Sequence, residues 1–228
     1  MKLRINIITL FPDFFNSALE ASLLGKAIEK KIVEVNRIQL RDFSINKHNQ
    51  VDDTPYGGGS GMVLMVEPVK KALESIQEKT YKILLTPRGY SWKQNHAEAI
   101  YKKVTTDFES LTLICAHYEG IDERVVEYID ESVSIGDYIL SGGEPAALSV
   151  IDCLARQVPD FMGNSESLHD ESFNKDGYIE YPQYTRPLLF DGQEVPNILV
   201  SGHHANIAKW REEQGKKAYL NFKKDESI

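Results

Sequence analysis

Three stretches of the chain have the residue types to grip a flat, uncharged ligand: LLTPRG (84–89), CAHYEG (115–120) and SIGDYILSGGE (134–144). Each follows an apolar run and mixes glycine with small or apolar side chains. Loops of this kind leave main-chain N–H and C=O groups open to a ligand. One such loop is an ordinary turn. Three at the ends of strands line the crevice beyond the carboxyl edge of an open α/β sheet, where ligands of such folds bind. Two further groups offer acid–base chemistry. Arg156 ends an apolar helix-like segment, and its guanidinium needs a carboxylate, carbonyls or water there. Asp170 and Glu171 stand in a polar stretch. A carboxylate beside an arginine stays ionised and can act as a general base, although an acid in a loop is by default simply solvated.

The familiar cofactor fingerprints fail. There is no G-x-G-x-x-G after a strand and no G-x-x-x-x-G-K-[ST]. PYGGGSGM (55–62) is glycine-rich, but it precedes a strand-like stretch and has no Lys partner. It reads either as a close backbone approach to a ligand or as a mobile surface loop. His203 and His204 are adjacent and would diverge on a helix, while His117 and His169 are isolated, so no metal site is defined.

The elements that must position these groups alternate. LRINIITL (3–10), VEVNRIQL (33–40), YKILLT (81–86), LTLICA (111–116) and SVSI (132–135) read as strands, with 62–66 a further candidate. SALEASLLGKAIEKK (17–31), EPVKKALESIQEK (67–79), KQNHAEAIYKKV (93–104), IDERVVEYI (121–129) and EPAALSVIDCLARQV (144–158) read as helices. This rhythm predicts an α/β domain with a mostly parallel sheet. The last of these helices is apolar on most faces, which predicts burial in a core or against another subunit. Residues 1–160 form the predicted α/β domain and 161–172 a flexible linker. Residues 173–228 form a small, mainly helical domain with a helix over 203–222.

The 228 residues are 42% hydrophobic, and no apolar run approaches the ~20 residues of a membrane span. The first residues read as a strand rather than a signal peptide, and Cys115 and Cys153 as buried free thiols, which predicts a cytoplasmic protein. The net charge of −8 argues against nucleic acid as a partner, but it is unevenly spread. From Phe173 onward eight Lys/Arg balance eight Asp/Glu, so the whole excess lies in residues 1–172. Charge alone does not settle the partner.

Five segments in order, VDDTPYGGGSGM, HYEGIDERV, SIGDYILSGGE, YPQYTRP and VPNILVSGHHANIAKWR, resemble the bacterial tRNA (guanine-N1)-methyltransferases of the SPOUT class. The resemblance implies a trefoil-knotted α/β domain, a homodimer with sites at the subunit interface, and methyl transfer from S-adenosylmethionine. The implied acceptor is N1 of guanosine 37, beside the tRNA anticodon. It also implies that Ser134, Ile135, Gly136, Asp137, Tyr138, Ile139 and Leu140 hold the cofactor, with Leu84, Leu85, Ala116, Tyr118, Glu119 and Gly142 completing the pocket. Arg156 matches the family's arginine for charge developing on guanine O6. The family's base is the Asp of an Asp-Ser-Phe triplet. This chain reads HDESF there, which aligns Glu171 and leaves Asp170 as its substitute. Ala116 stands where the family has Gly, and Ser60 where it has Pro. Arg186, His204, Lys209 and Arg211 are the implied contacts to the anticodon stem. Magnesium dependence is a family trait, but no carboxylate cluster defines a site. The remaining readings are a SPOUT enzyme acting on ribose 2′-OH or rRNA, and a non-catalytic RNA-binding module.

Overall fold

Strand β1 (Leu3–Thr9) is buried on both faces, as a central strand of a parallel sheet must be. Leu3, Ile5 and Ile7 enter one apolar cluster and Ile8 the other. The same split recurs along β5 (Thr80–Ser91), where Ile83 and Leu85 face one way and Leu84 the other. Together with β2 (Val33–Gln39), β6 (Ser110–Cys115) and β7 (Glu131–Ser134), these strands form a five-stranded sheet of order β2-β1-β6-β5-β7. Every neighbouring pair is parallel. The carboxyl ends of all five strands therefore share one edge.

In this computed structural model residues 2–162, 171–173 and 177–225 are described. The chain divides into two compact units, Met1–Gly163 and Asn164–Ile228. In the first, helices cover both faces of the sheet. One layer comprises α1 (Asn16–Glu20), α2 (Ser22–Glu29), α4 (Gln94–Asp107) and α5 (Glu144–Ala155), of which α2, α4 and α5 enter the first cluster. The other layer holds α3 (Val66–Glu74), a short antiparallel pair β3 (Asp52–Asp53) and β4 (Val63–Leu64), and a 3-10 turn at Glu123–Tyr128. Helix α5 buries Ala146, Ala147, Val150, Ile151, Leu154 and Ala155 against its own chain.

Several sequence expectations change here. The expected helix over 17–31 is two helices, because Ala21 is extended (ψ 153°) and Ser22 has φ 55°. The expected α-helix over 121–129 winds as 3-10, capped where Asp122 accepts from the Arg124 N–H at 2.9 Å. The strand expected to stop at 86 continues to Ser91. Leu85 and Tyr90 both pair with Val133, so Thr86–Gly89 is a wide bulge inside β5 rather than a loop after it. Gly89 makes this fit: a Cβ added there would lie 2.3 Å from the Val133 nitrogen. Gly89→Ala is expected to destabilise the first unit by on the order of 3 kcal/mol, the upper range for overpacking, read as a lower denaturant midpoint.

The second unit contains the hairpin β8 (Leu189–Phe190) and β9 (Gln193–Glu194), then α6 (Asn197–Val200) and α7 (His204–Asp225). Tyr178 is buried against α7, where Gly215 leaves room for its ring.

Candidate active site

The chain returns three times to the carboxyl edge of the sheet, and short main-chain contacts tie the returns together. The Gly143 N–H donates to the Ala116 carbonyl at 2.8 Å, and His117 bridges Gly142. Gly143 has no room for a side chain, because a Cβ would lie 2.7 Å from the Cys115 Cα. The 115–120 and 134–144 loops are thus in backbone contact. The glycine-rich segment joins them: the Glu119 N–H donates to the Met62 carbonyl at 3.0 Å, and a Cβ on Gly61 would strike the Glu119 side chain at 2.4 Å. At Gly61 the close approach is to the Glu119 side chain of the same chain. Gly57, Gly58 and Gly59 have open space around them.

Within the third loop, the Gly136 N–H donates to Ser134 Oγ at 3.4 Å, and the Trp92 N–H to the Ser134 carbonyl at 2.7 Å. Gly136 adopts φ +151°, where a Cβ would sit 2.4 Å from the Tyr138 ring. Beyond this turn Tyr138, Ile139 and Leu140 are exposed, Ile139 to 87%. An apolar rim left open on a loop marks a binding surface. Tyr118, also exposed, has φ 60°, a left-handed conformation uncommon outside glycine and concentrated at functional sites.

The remaining expected residues divide into those that join this edge and those that do not. Leu84 and Leu85 bury their side chains in opposite clusters, so what they can offer a ligand is main chain. The Ala116 methyl packs against the second cluster. Asp137 and Glu119 are exposed carboxylates. Arg156 caps the far end of α5, a 12-residue helix that rises roughly 18 Å from Glu144. It is half-buried, and its Nη1 lies 3.6 Å from Met162 Sδ. One turn before Arg156, Cys153 Sγ lies 3.9 Å from Gln94 Oε1, two residues after Trp92, whose N–H holds the Ser134 carbonyl. Glu171 belongs to the second unit; beside it the Glu180 N–H donates to Ser172 Oγ at 3.0 Å, and Phe173 packs on Phe222 of α7. Asp170 and His169 lie outside the described residues.

In the second unit, Arg186 and Arg211 line one cavity of about 540 Å³ together with Tyr181, Tyr184, Leu199 and Ile207. Arg211 stacks 4.7 Å above the Tyr181 ring. His204 shares the Ile207 and Arg211 face of α7 by helical spacing. Lys209 falls on another face, with its Nζ 4.0 Å from Glu213 Oε1. Trp210 approaches Tyr184 with ring centroids 6.5 Å apart. A cavity of about 570 Å³ in the first unit lies instead by the amino ends of β5 and β7, around Lys70, Lys79, Lys82 and Asp130. Lysines and acids are mixed there, and none of the loops described above reaches it.

The sequence reading missed one pair. Thr9, at the end of β1, donates its hydroxyl to Glu144 at 2.6 Å, and both are buried. No motif announces that pair, because 135 residues separate its members. Cys115 is the buried free thiol the sequence predicts, pushed well up by burial and by the Glu144 charge, whereas Cys153 is only half-buried. Among the described residues no group of three His, Cys, Asp or Glu converges as a metal site, and no helix is long and apolar enough to cross a membrane.

Fold and site together define a class: an α/β domain with a main-chain-rich site at the carboxyl edge of a parallel sheet, followed by a separate, mainly helical unit. Comparison with known proteins gives the family. The pattern of tRNA (guanine-1)-methyltransferase TrmD matches residues 3–225. A tRNA (guanine-N(1)-)-methyltransferase of Clostridium botulinum is 47% identical over 211 residues, covering 92% of this chain and 85% of its own. Those of Lactobacillus johnsonii and Clostridium acetobutylicum are 47% and 45% identical, each covering 98% of this chain and 90% of their own. The chain belongs to the TrmD family of tRNA (guanine-N1)-methyltransferases and is an enzyme of that class.

Proposed function

We propose that the enzyme transfers a methyl group from S-adenosylmethionine to N1 of guanosine 37 in tRNA, with the cofactor held by residues 134–142 and 116–119 and the main chain of Leu84 and Leu85. The observation that carries this reading is the charge of the site. The 115–120 and 134–144 loops contain Glu119, Asp137 and Glu144 and no Lys or Arg. Such a field disfavours phosphate and favours a cationic ligand. Main-chain donors and acceptors suit a neutral purine, and the Tyr138–Leu140 rim suits its apolar face. The residues present therefore fit S-adenosylmethionine, which when bound supplies an electrophilic methyl group on a sulfonium.

Guanine N1 carries a proton at neutral pH and is a poor nucleophile. In this reading Glu171 accepts that proton as the lone pair turns towards the methyl group. Arg156 donates to O6, where negative charge develops. The homodimer is carried over from the family resemblance, and in this reading its sites lie at the subunit interface. In this reading, carried over from the family resemblance, the chain is threaded as a trefoil knot around the site. The Arg186–Arg211 cavity, with Tyr181 and Tyr184, has the arginine and aromatic composition that contacts RNA phosphates and bases, and His204 lies on the same helix face. Lys209 is the weakest of the four RNA contacts. The test is methyl incorporation from labelled S-adenosylmethionine into tRNA transcripts with G or A at position 37. The expected result is incorporation with G alone. Equal incorporation with A, or label in a ribose, overturns the assignment of the acceptor.

A further inference from the structure

Glu144 is the only carboxylate among the described residues to be fully buried, at 3% exposure. A carboxylate taken out of water is costly unless charge or hydrogen bonds compensate it. Two groups do so. Thr9 Oγ1 donates to Glu144 Oε1 at 2.6 Å, and the same Oγ1 accepts from the Phe11 N–H at 2.9 Å. Glu144 also opens α5, where the helix dipole favours a negative charge. The other oxygen, Oε2, faces His117 Nδ1 at 3.8 Å, beyond hydrogen-bond range. That nitrogen is buried and has no other hydrogen-bond partner. The imidazole is held between the rings of Phe11 and Tyr118, with centroids 5.0 and 5.1 Å away. Gly142 lies between the two groups: a Cβ there would be 2.4 Å from both Glu144 Oε2 and His117 Nδ1.

One buried carboxylate thus meets the end of β1, the 115–120 loop and the 134–144 loop. We propose that Glu144 is a positioning residue for the cofactor pocket. It sets the spacing of the two clasping loops through Thr9, and its contact with His117 across Gly142 closes when the cofactor binds. Closure needs His117 with a proton on Nδ1, which then donates to Oε2. The inference rests on the reading that these two loops hold S-adenosylmethionine.

The test uses the full chain. Binding of S-adenosylmethionine is measured by calorimetry, and kcat and KM for both substrates by methyl transfer, for Glu144→Gln, Glu144→Ala, Thr9→Val and His117→Ala. Glu144→Gln is expected to raise the cofactor Kd and KM about tenfold, and Thr9→Val about threefold, with kcat at saturation and tRNA affinity nearly unchanged. His117→Ala combined with Glu144→Gln is expected to cost less than the two singly, because both remove one contact. A merely structural glutamate would lower Tm yet leave the cofactor Kd of the folded enzyme alone and give additive effects. Cofactor affinity within about twofold of wild type in both Glu144→Gln and Thr9→Val overturns the proposal. If Glu144→Ala does not fold, those two variants decide. Hydrogen exchange of the wild type separates this failure from the other. Protection of 115–120 and 134–142 by S-adenosylmethionine upholds the site, and its absence sinks the site reading itself.

Discussion

Glu171→Gln is expected to slow single-turnover methyl transfer by on the order of a hundredfold or more, with the Kd for S-adenosylmethionine unchanged. Glutamine keeps the length and shape of the side chain and loses the ability to take a proton. The bond to N1 forms only as its proton leaves, so the loss falls on the chemical step. Close to Glu171, Phe173 has φ 68°, its N–H donates to the Tyr178 carbonyl at 3.1 Å, and Ser172 Oγ accepts from the Glu180 N–H. On the proposed role as base, Glu171→Asp shortens the reach by one methylene and is expected to be impaired as well, though less. Asp170→Asn is the companion measurement. If it shows the large loss and Glu171→Gln does not, the base is one residue earlier. Wild-type rates in both remove the carboxylate mechanism.

Co-expressing two inactive variants, Arg156→Ala and Gly136→Val, is expected to restore about a quarter of wild-type activity if the sites are shared between subunits. Arg156→Ala removes the donor to O6, a loss on the order of a hundredfold. Gly136→Val places a branched side chain at φ +151° and against the Tyr138 ring, which breaks the cofactor loop without touching the core. In a mixed dimer one site combines an intact loop with the intact Arg156 and works, while the other has both defects. Random pairing makes about half the dimers mixed, with one working site in two. If each chain builds its own site, every site keeps one lesion, and the mixture stays as inactive as its parts. The prediction follows from the reading that the sites lie at the subunit interface.

The contrast between β1 and β5 shows how much could be read in advance. LRINIITL declares a buried strand because both faces are apolar, and residues 3–9 are one. YKILLTPRGYS carries Pro and Gly, which usually end a strand, yet β5 runs through them. The chain can do so because β7 pairs with it on either side of the bulge, a contact with a partner 48 residues away at Ile83 and Glu131. The hairpin of the second unit shows the reverse case. Leu-Phe-Asp-Gly-Gln-Glu carried the Asp-Gly signal of a two-residue turn, and Asp191 and Gly192 do adopt φ 48° and 80°. That signal is local and stands in the sequence despite the neighbouring prolines.

The amino-acid sequence by itself determined the alternation of strands and helices, two of the three expected glycine-bearing loops at strand ends and the family to which the chain belongs. Those properties are local: each is written in a run of neighbouring residues whose spacing and size dictate it. Tertiary structure alone decided that Gly143 touches Ala116 and that Thr9 reaches Glu144. Those contacts join residues far apart in the chain. They depend on strand order and on the packing of α5, which no local pattern encodes.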